Sequence, residues 1–146
     1  VKTCIVRFPS IFGINSRVGV INTFCALARK NKPIEIFSKG QRLRNLMHVS
    51  SAVEMLYLVN KKNKNLRKHE LFIVGSKDSL KLLEIGKLLV KLLESKSEIV
   101  PVDKFIPSDF DVKIDSRKAT KLLGFNPVSI EDGIKQYIKE IKNENL

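Results

Sequence analysis

The chain has 146 residues, 43% hydrophobic and 29% charged, which is enough for one domain with a core and too few for two comfortable ones. That balance argues against a disordered chain, while a formal net charge of +12 points to an anionic partner. No apolar run reaches the length of a membrane span. Cys4 and Cys25, with no C-x-x-C spacing, argue against a metal centre and read as buried hydrophobes of a reducing compartment, the cytoplasm.

The opening Val1-Lys2-Thr3-Cys4-Ile5-Val6 has neither an initiator methionine nor signal-peptide character, and the expectation is a chain cut from something longer. Val1 to Phe8 is almost continuously apolar, the pattern of a strand buried on both faces of a parallel sheet. Pro9 ends that ladder, so the backbone turns just past the carboxyl end of a strand, where α/β sheets bind ligands. A helix from about Val20 to Asn31 carries Ile21, Phe24, Cys25 and Ala28 on one face, and Lys32-Pro33 stops it. Ile34 to Phe37 is a short strand.

The segment Ser38 to Ser51 follows. A polar turn with Gly40, Arg42 and Arg44 feeds a strand from Leu46 to Val49, and a Ser51-x-x-Glu54 capping box opens a helix to Asn60 with apolar Val53, Met55, Leu56 and Val59. Two readings stand side by side: a solvated hairpin turn, or an anion site. In the second, arginine heads fork onto phosphate or carboxylate oxygens and Gly40 lets the backbone approach the ligand. The basic run Lys61 to Lys68 has few apolar anchors and reads as a solvated loop.

Glu70 to Gly75 forms a strand, and Ser76 to Ser79 offer N-caps for a long helix to about Glu94 with a face at 82, 85, 89, 92 and 93. Glu98 to Val102 and Val112 to Ile114 are extended. Asp115 caps a short helix through Leu123 that Gly124 terminates, and Ser129 with Asp132 caps a last helix bearing Ile130, Ile134, Tyr137, Ile138 and Ile141. The pattern is α/β with short strands and five helices.

Several junctions read together resemble one family. Arg7-Phe8-Pro9-Ser10-Ile11-Phe12-Gly13 stands where that family has Arg-x-x-Asn-Val-Tyr-Gly. Ser38 to Ser51 is similar to its Gly-Asp-Gly-x-Gln-x-Arg-Asp-Phe-x-His-Val-x-Asp, and Phe72-Ile73-Val74-Gly75-Ser76, Asp115-Ser116-Arg117-Lys118-Ala119 and Leu123-Gly124-Phe125-Asn126-Pro127 follow in its order. The family is the extended short-chain dehydrogenases/reductases, the nucleotide-sugar epimerases and dehydratases. The resemblance implies the substrate-binding, carboxyl-terminal half of a Rossmann-type enzyme, lacking the amino-terminal dinucleotide-binding sheet. Residues 1–146 are then a single domain, with 1–13 the last strand of the missing sheet and its ligand-facing turn, and 14–146 the substrate lobe.

Carried over by position, the resemblance implies that Arg44 contacts the diphosphate of a nucleotide sugar, that Ser10 bonds the sugar or phosphate, and that Asn22 lies near the base. Pro9 and Ile11 would border the nicotinamide of NAD or NADP held mainly by the other half, this chain alone binding no cofactor. The family's second arginine has no counterpart in Phe105 to Asp109; only Lys104 is close. The G-x-G-x-x-G turn is absent. Tyr57-Leu58-Val59-Asn60-Lys61 fits the bare Tyr-x-x-x-Lys pattern but falls at a helix end far from that motif's place in the family, so no catalytic residue is assigned. His48 has no second ligand at metal spacing and reads as a strand-end histidine, and His69 has no partner that spacing names.

The expectation is therefore the substrate-binding part of an NAD(P)-dependent epimerase, dehydratase or reductase, inactive in isolation. The alternatives are a basic nucleic-acid module, disfavoured by scattered lysines and core-facing phenylalanines, and an assembly domain pairing through the strand Val1 to Phe8.

Overall fold

The structure, a computed structural model, describes residues 1–16, 18–104 and 110–143. The first strand, β1 (Thr3–Arg7), pairs in parallel with β6 (His69–Ile73), and β2 (Ser10–Phe12) pairs in parallel with β5 (Leu46–His48). A third parallel pair joins β3 (Ile34–Ile36) to β8 (Ile99–Pro101). Only β4 (Leu43–Arg44) and β7 (Leu80–Lys81) run antiparallel. The helices are α1 (Val20–Arg29), α2 (Val49–Lys61), α3 (Leu82–Leu92), α4 (Arg117–Leu123) and α5 (Ile130–Asn143).

Two apolar clusters hold these pieces together. One gathers α1, α3 and α5 over β3, with Ile21, Phe24, Ile34, Ile85, Leu89 and Ile134 buried. The other packs α2 and α4 on the β1–β6 sheet through Met55, Phe72, Val74, Ala119, Leu123 and Phe125. The strand β5 serves both: Leu46 enters the first cluster and its neighbour Met47 the second, because successive strand side chains point to opposite faces.

The face of α1 is as the periodicity predicts, with Ile21, Phe24, Cys25 and Ala28 buried. Four expectations are corrected. The strand at β1 is parallel but not buried on both faces: Cys4 and Val6 turn inward, whereas Ile5 is 53% exposed, since no described element covers that side. Helix α2 begins at Val49, not Ser51, and its cap is His48, whose Nδ1 accepts from the Ser50 amide at 3.3 Å. Ser51 is buried, and Val53 and Leu56 face outward while Ala52 and Met55 fill the core. The caps expected at Ser76 to Ser79 serve other purposes: α3 starts after Lys81, whose amide donates to Glu84 Oε2 at 2.7 Å, and Asp78 Oδ1 instead accepts from the Ile130 amide at the start of α5.

Of the later caps, the one at α4 is shifted by a residue: its N-cap is Ser116, which makes no side-chain capping bond, while Asp115 Oδ1, one position earlier, accepts from the Arg117 amide at 2.9 Å. Gly124 ends α4 in the left-handed region at φ 70°, and Ser129 Oγ accepts from the Asp132 amide at 3.0 Å, both where the residues place them.

Candidate functional site

Beyond the end of β3 the chain makes a tight 3₁₀ turn over Ser38–Gly40 in which three successive residues have positive φ, 51°, 53° and 67°. The Ser38 and Lys39 amides donate to the Lys104 and Val102 carbonyls, tying the turn to the segment after β8. A Cβ on Gly40 would lie 2.9 Å from Leu83 Cβ and 3.0 Å from Ile36 Cγ2. The glycine is therefore required by packing against α3 and by its backbone angle, which corrects the expectation that it admits a ligand.

The chain then passes from β4 to β5 through Asn45, 3% exposed. Its Oδ1 accepts from the Ser76 amide at 2.9 Å, and its Nδ2 donates to the carbonyls of Ser76 at 3.2 Å and Asp78 at 2.7 Å. Ser76 Oγ donates in turn to the Leu46 carbonyl. This buried amide locks the loop after β6 onto the β4–β5 junction and so fixes where Arg44 leaves the backbone.

Arg44 lines a cavity of about 520 Å³, a size suited to a small ligand. Its walls are apolar: Val20, Phe24 and Leu27 of α1, with Pro33, Ile36 and Leu82. Thr23, Glu35 and Phe37 complete the lining. Arg44 Nη1 donates to the carbonyls of Leu43 at 3.0 Å and Phe110 at 2.6 Å. Partial burial lowers its pKa, countered by Asp111, yet an arginine so placed stays charged at any physiological pH. The other arginine of the turn, Arg42, faces a separate polar cavity of about 300 Å³ shared with Lys39, Asp103 and Asp111.

Of the other residues singled out from the sequence, Lys104 places its Nζ 5.2 Å from the Phe37 ring centroid, a cation–π contact that sets its charge beside the cavity wall. Asn22 is on α1 between wall residues, but its Nδ2 donates to Ser16 O and Tyr137 Oη at 3.0 Å, and it is not part of the lining. Ser10 and Ile11 are exposed on β2, where Ser10 sits opposite Leu46, two positions beyond Arg44, and Pro9 is half-buried before them. The stretch Phe105 to Asp109 lies outside the described residues.

Sequence reasoning passed over Thr23, Glu35 and Phe37. The alternation Ile34-Glu35-Ile36 held the signal for Glu35: two core isoleucines in a strand turn the residue between them to the opposite face.

Elsewhere, His48 is fully buried, its Nε2 3.3 Å from Glu140 Oε2 and its Nδ1 2.8 Å from Ser50 Oγ. Tyr57 is 58% exposed on the outer side of α2, with Lys61 Nζ 5.5 Å from its ring centroid. Among the described residues no group of three or more histidine, cysteine or acidic side chains could hold a metal, and no helix is long and apolar enough to cross a membrane.

The class is thus α/β, with short parallel strands and a ligand-sized cavity built from α1, β3 and β4. Residues 1–75, just over half of the 146, match the model of the NAD dependent epimerase/dehydratase family, and the chain belongs to that family. It is 30% identical over 154 aligned positions to UDP-N-acetyl-alpha-D-glucosaminuronate decarboxylase of Bacillus cytotoxicus, covering 96% of this chain and 47% of that protein. Among solved structures it resembles the UDP-glucose 4-epimerase of Thermotoga maritima with UDP-glucose, at TM-score 0.82 and 22% identity, covering 98% of this chain and 47% of that one. It also resembles the UDP-glucuronic acid 4-epimerase of Bacillus cereus in complex with UDP-glucuronic acid and NAD, at TM-score 0.83 and 22% identity, covering 97% and 45%. The chain spans about half the length of these relatives.

Proposed function

We propose that this chain is the substrate-binding half of a cytoplasmic, NAD(P)-dependent nucleotide-sugar epimerase, dehydratase or reductase, and that Arg44 contacts the diphosphate. The observation that carries this reading is a permanently charged guanidinium in the wall of an otherwise apolar 520 Å³ cavity. A nucleoside diphosphate needs those two environments side by side: an apolar slot for its base and a fixed cation for its phosphates. The three relatives named above act on or bind UDP-sugars by their names, which agrees.

Lys104, beside Phe37, is the second cation in this reading, in place of an arginine, and Ser10 reaches the sugar end from β2. Asn22 acts indirectly, holding the turn before α1 against Tyr137 at the back of the cavity wall. Residues 1–13 then belong to the cofactor-side sheet and 14–146 to the substrate lobe. For the cofactor, Pro9, Ser10 and Ile11 stand half-buried to exposed at the carboxyl end of β1, which fits one wall of a nicotinamide site. No Gly-rich phosphate turn exists in the chain to supply the rest. The nicotinamide nucleotide supplies hydride transfer when bound; this chain's part is to hold and orient the sugar nucleotide against it.

Calorimetric titration of the chain with UDP and GDP tests the reading. Micromolar to millimolar binding that Arg44→Ala weakens at least about tenfold, and Arg44→Lys less, is the expected result. Failure of every nucleoside diphosphate to bind the folded chain would sink it.

A further inference from the structure

The cavity that holds Arg44 also contains a carboxylate, and its position is set by the strand beneath it. Ile34 and Ile36 are 0% and 1% exposed, so the pleat of β3 turns Glu35 away from the core and into the cavity lining. No described residue forms a hydrogen bond or ion pair with that side chain. Among the described residues, Asp111 is a carboxylate whose field reaches Arg44. The cavity lining therefore has a cationic group, apolar walls from Val20, Phe24, Leu27 and Leu82, and a separate, solvent-exposed carboxylate as an acceptor.

We propose that Glu35 determines which base the cavity takes, and that the base is guanine. This deepens the nucleotide-sugar reading and rests on it. A carboxylate accepts hydrogen bonds and donates none at neutral pH, so it selects a base edge rich in N–H groups. Guanine presents its ring N1–H and exocyclic N2–H side by side, matching the two carboxylate oxygens in a bidentate pair. Uracil offers one ring N–H between two carbonyl oxygens, and a carboxylate that takes that proton is brought against both carbonyls. The cavity's 520 Å³ leaves room for a purine. The UDP-handling relatives make this a departure within the family, carried by one side chain.

The test compares GDP and UDP binding to the unmodified chain and to Glu35→Gln at one ionic strength. The unmodified chain should bind GDP at least about tenfold tighter than UDP, the ratio expected for one charge-assisted hydrogen bond. In Glu35→Gln the ratio should fall to within about threefold of unity, because an amide can serve either base. Arg44→Ala should weaken both nucleotides alike and leave the ratio standing. UDP binding as tightly as GDP, or a ratio unchanged in a Glu35→Gln chain with an unaltered circular dichroism spectrum, would overturn the assignment to guanine while leaving the nucleotide reading intact. Loss of binding to both nucleotides in the unmodified chain would overturn the two together.

Discussion

Ser38 holds φ at 51°, a region in which an L-residue is strained by about 1–2 kcal/mol, and its Oγ is buried with no hydrogen-bond partner among the described residues. The family pattern that this turn resembles has glycine there. Replacing Ser38 by glycine keeps the amide bond to the Lys104 carbonyl and removes both penalties, so Ser38→Gly should raise the unfolding free energy by about 1 kcal/mol in urea titration. Asn45 shows the opposite sensitivity. The family pattern has aspartate at this place, yet here Nδ2 donates to two carbonyls, one of them at 2.7 Å. Asn45→Asp sets a carboxylate against those oxygens and should cost about 2 kcal/mol or more at pH 7, with part of the loss recovered at pH 4, where a proton can restore one donor. A smaller loss at pH 7 than at pH 4 would contradict this account. Neither effect follows from local composition, since both depend on which remote carbonyl the fold brings near.

Helix α2 is capped by a histidine, and its stability inherits that residue's titration. Burial depresses the His48 pKa below 6.5, the nearby Glu140 opposing it, so the folded state prefers the neutral ring with Nε2–H toward Glu140 and Nδ1 accepting from Ser50. The unfolded chain takes up the proton first, so the contribution is full above pH 6.5 and is lost as pH falls from there toward the depressed value. Denaturation midpoints should decline between pH 7 and 5 in the native chain, and this leg should flatten in His48→Asn, which keeps a capping acceptor. On the facing helix, a Cβ at Gly133 would stand 3.0 Å from His48 Cβ and 3.2 Å from Phe12 Cζ. Both neighbours are buried and held, so Gly133→Ala should be destabilising by about 1 kcal/mol net despite the better helix propensity of alanine. How legible such elements were depends on whether their signal is local. The amphipathic stripe of α1 and the Gly124 stop of α4 lie in consecutive residues and were readable. The start of α2 was not, because imidazole is not among the usual caps and Ser51 offered a conventional alternative that the fold instead buries. Asp78 looked like a cap for the helix just after it and serves α5, more than fifty residues on, a pairing that no sequence window contains. For the candidate site, the turn and its two arginines were readable and the family resemblance singled out Arg44, while the cavity walls come from α1, β3 and the start of α3 and appear only once these pack.

Across the whole molecule, the outer side of the β1–β6 sheet exposes Ile5, Leu71 and Ile73, and α2 exposes Val53, Leu56 and Tyr57. β1 is hydrogen-bonded on one edge only, to β6, among the described residues. A sheet with an apolar face and an open parallel edge tends to recruit another strand. Sedimentation of the isolated chain should show concentration-dependent association, and Ile73→Glu should shift it toward monomer by setting a charge on that face; a monodisperse monomer at high concentration would contradict both. The division of the interior across β5 has a further consequence, for the order in which the molecule opens. Leu46 and Met47 are adjacent in a three-residue strand yet belong to different apolar clusters, so freeing this strand from its partners requires both clusters to loosen. Amide deuterium uptake should therefore be slowest along Leu46–His48, with the α1–α3–α5 cluster and the α2–α4 cluster each able to fluctuate open at lower cost while β5 stays closed.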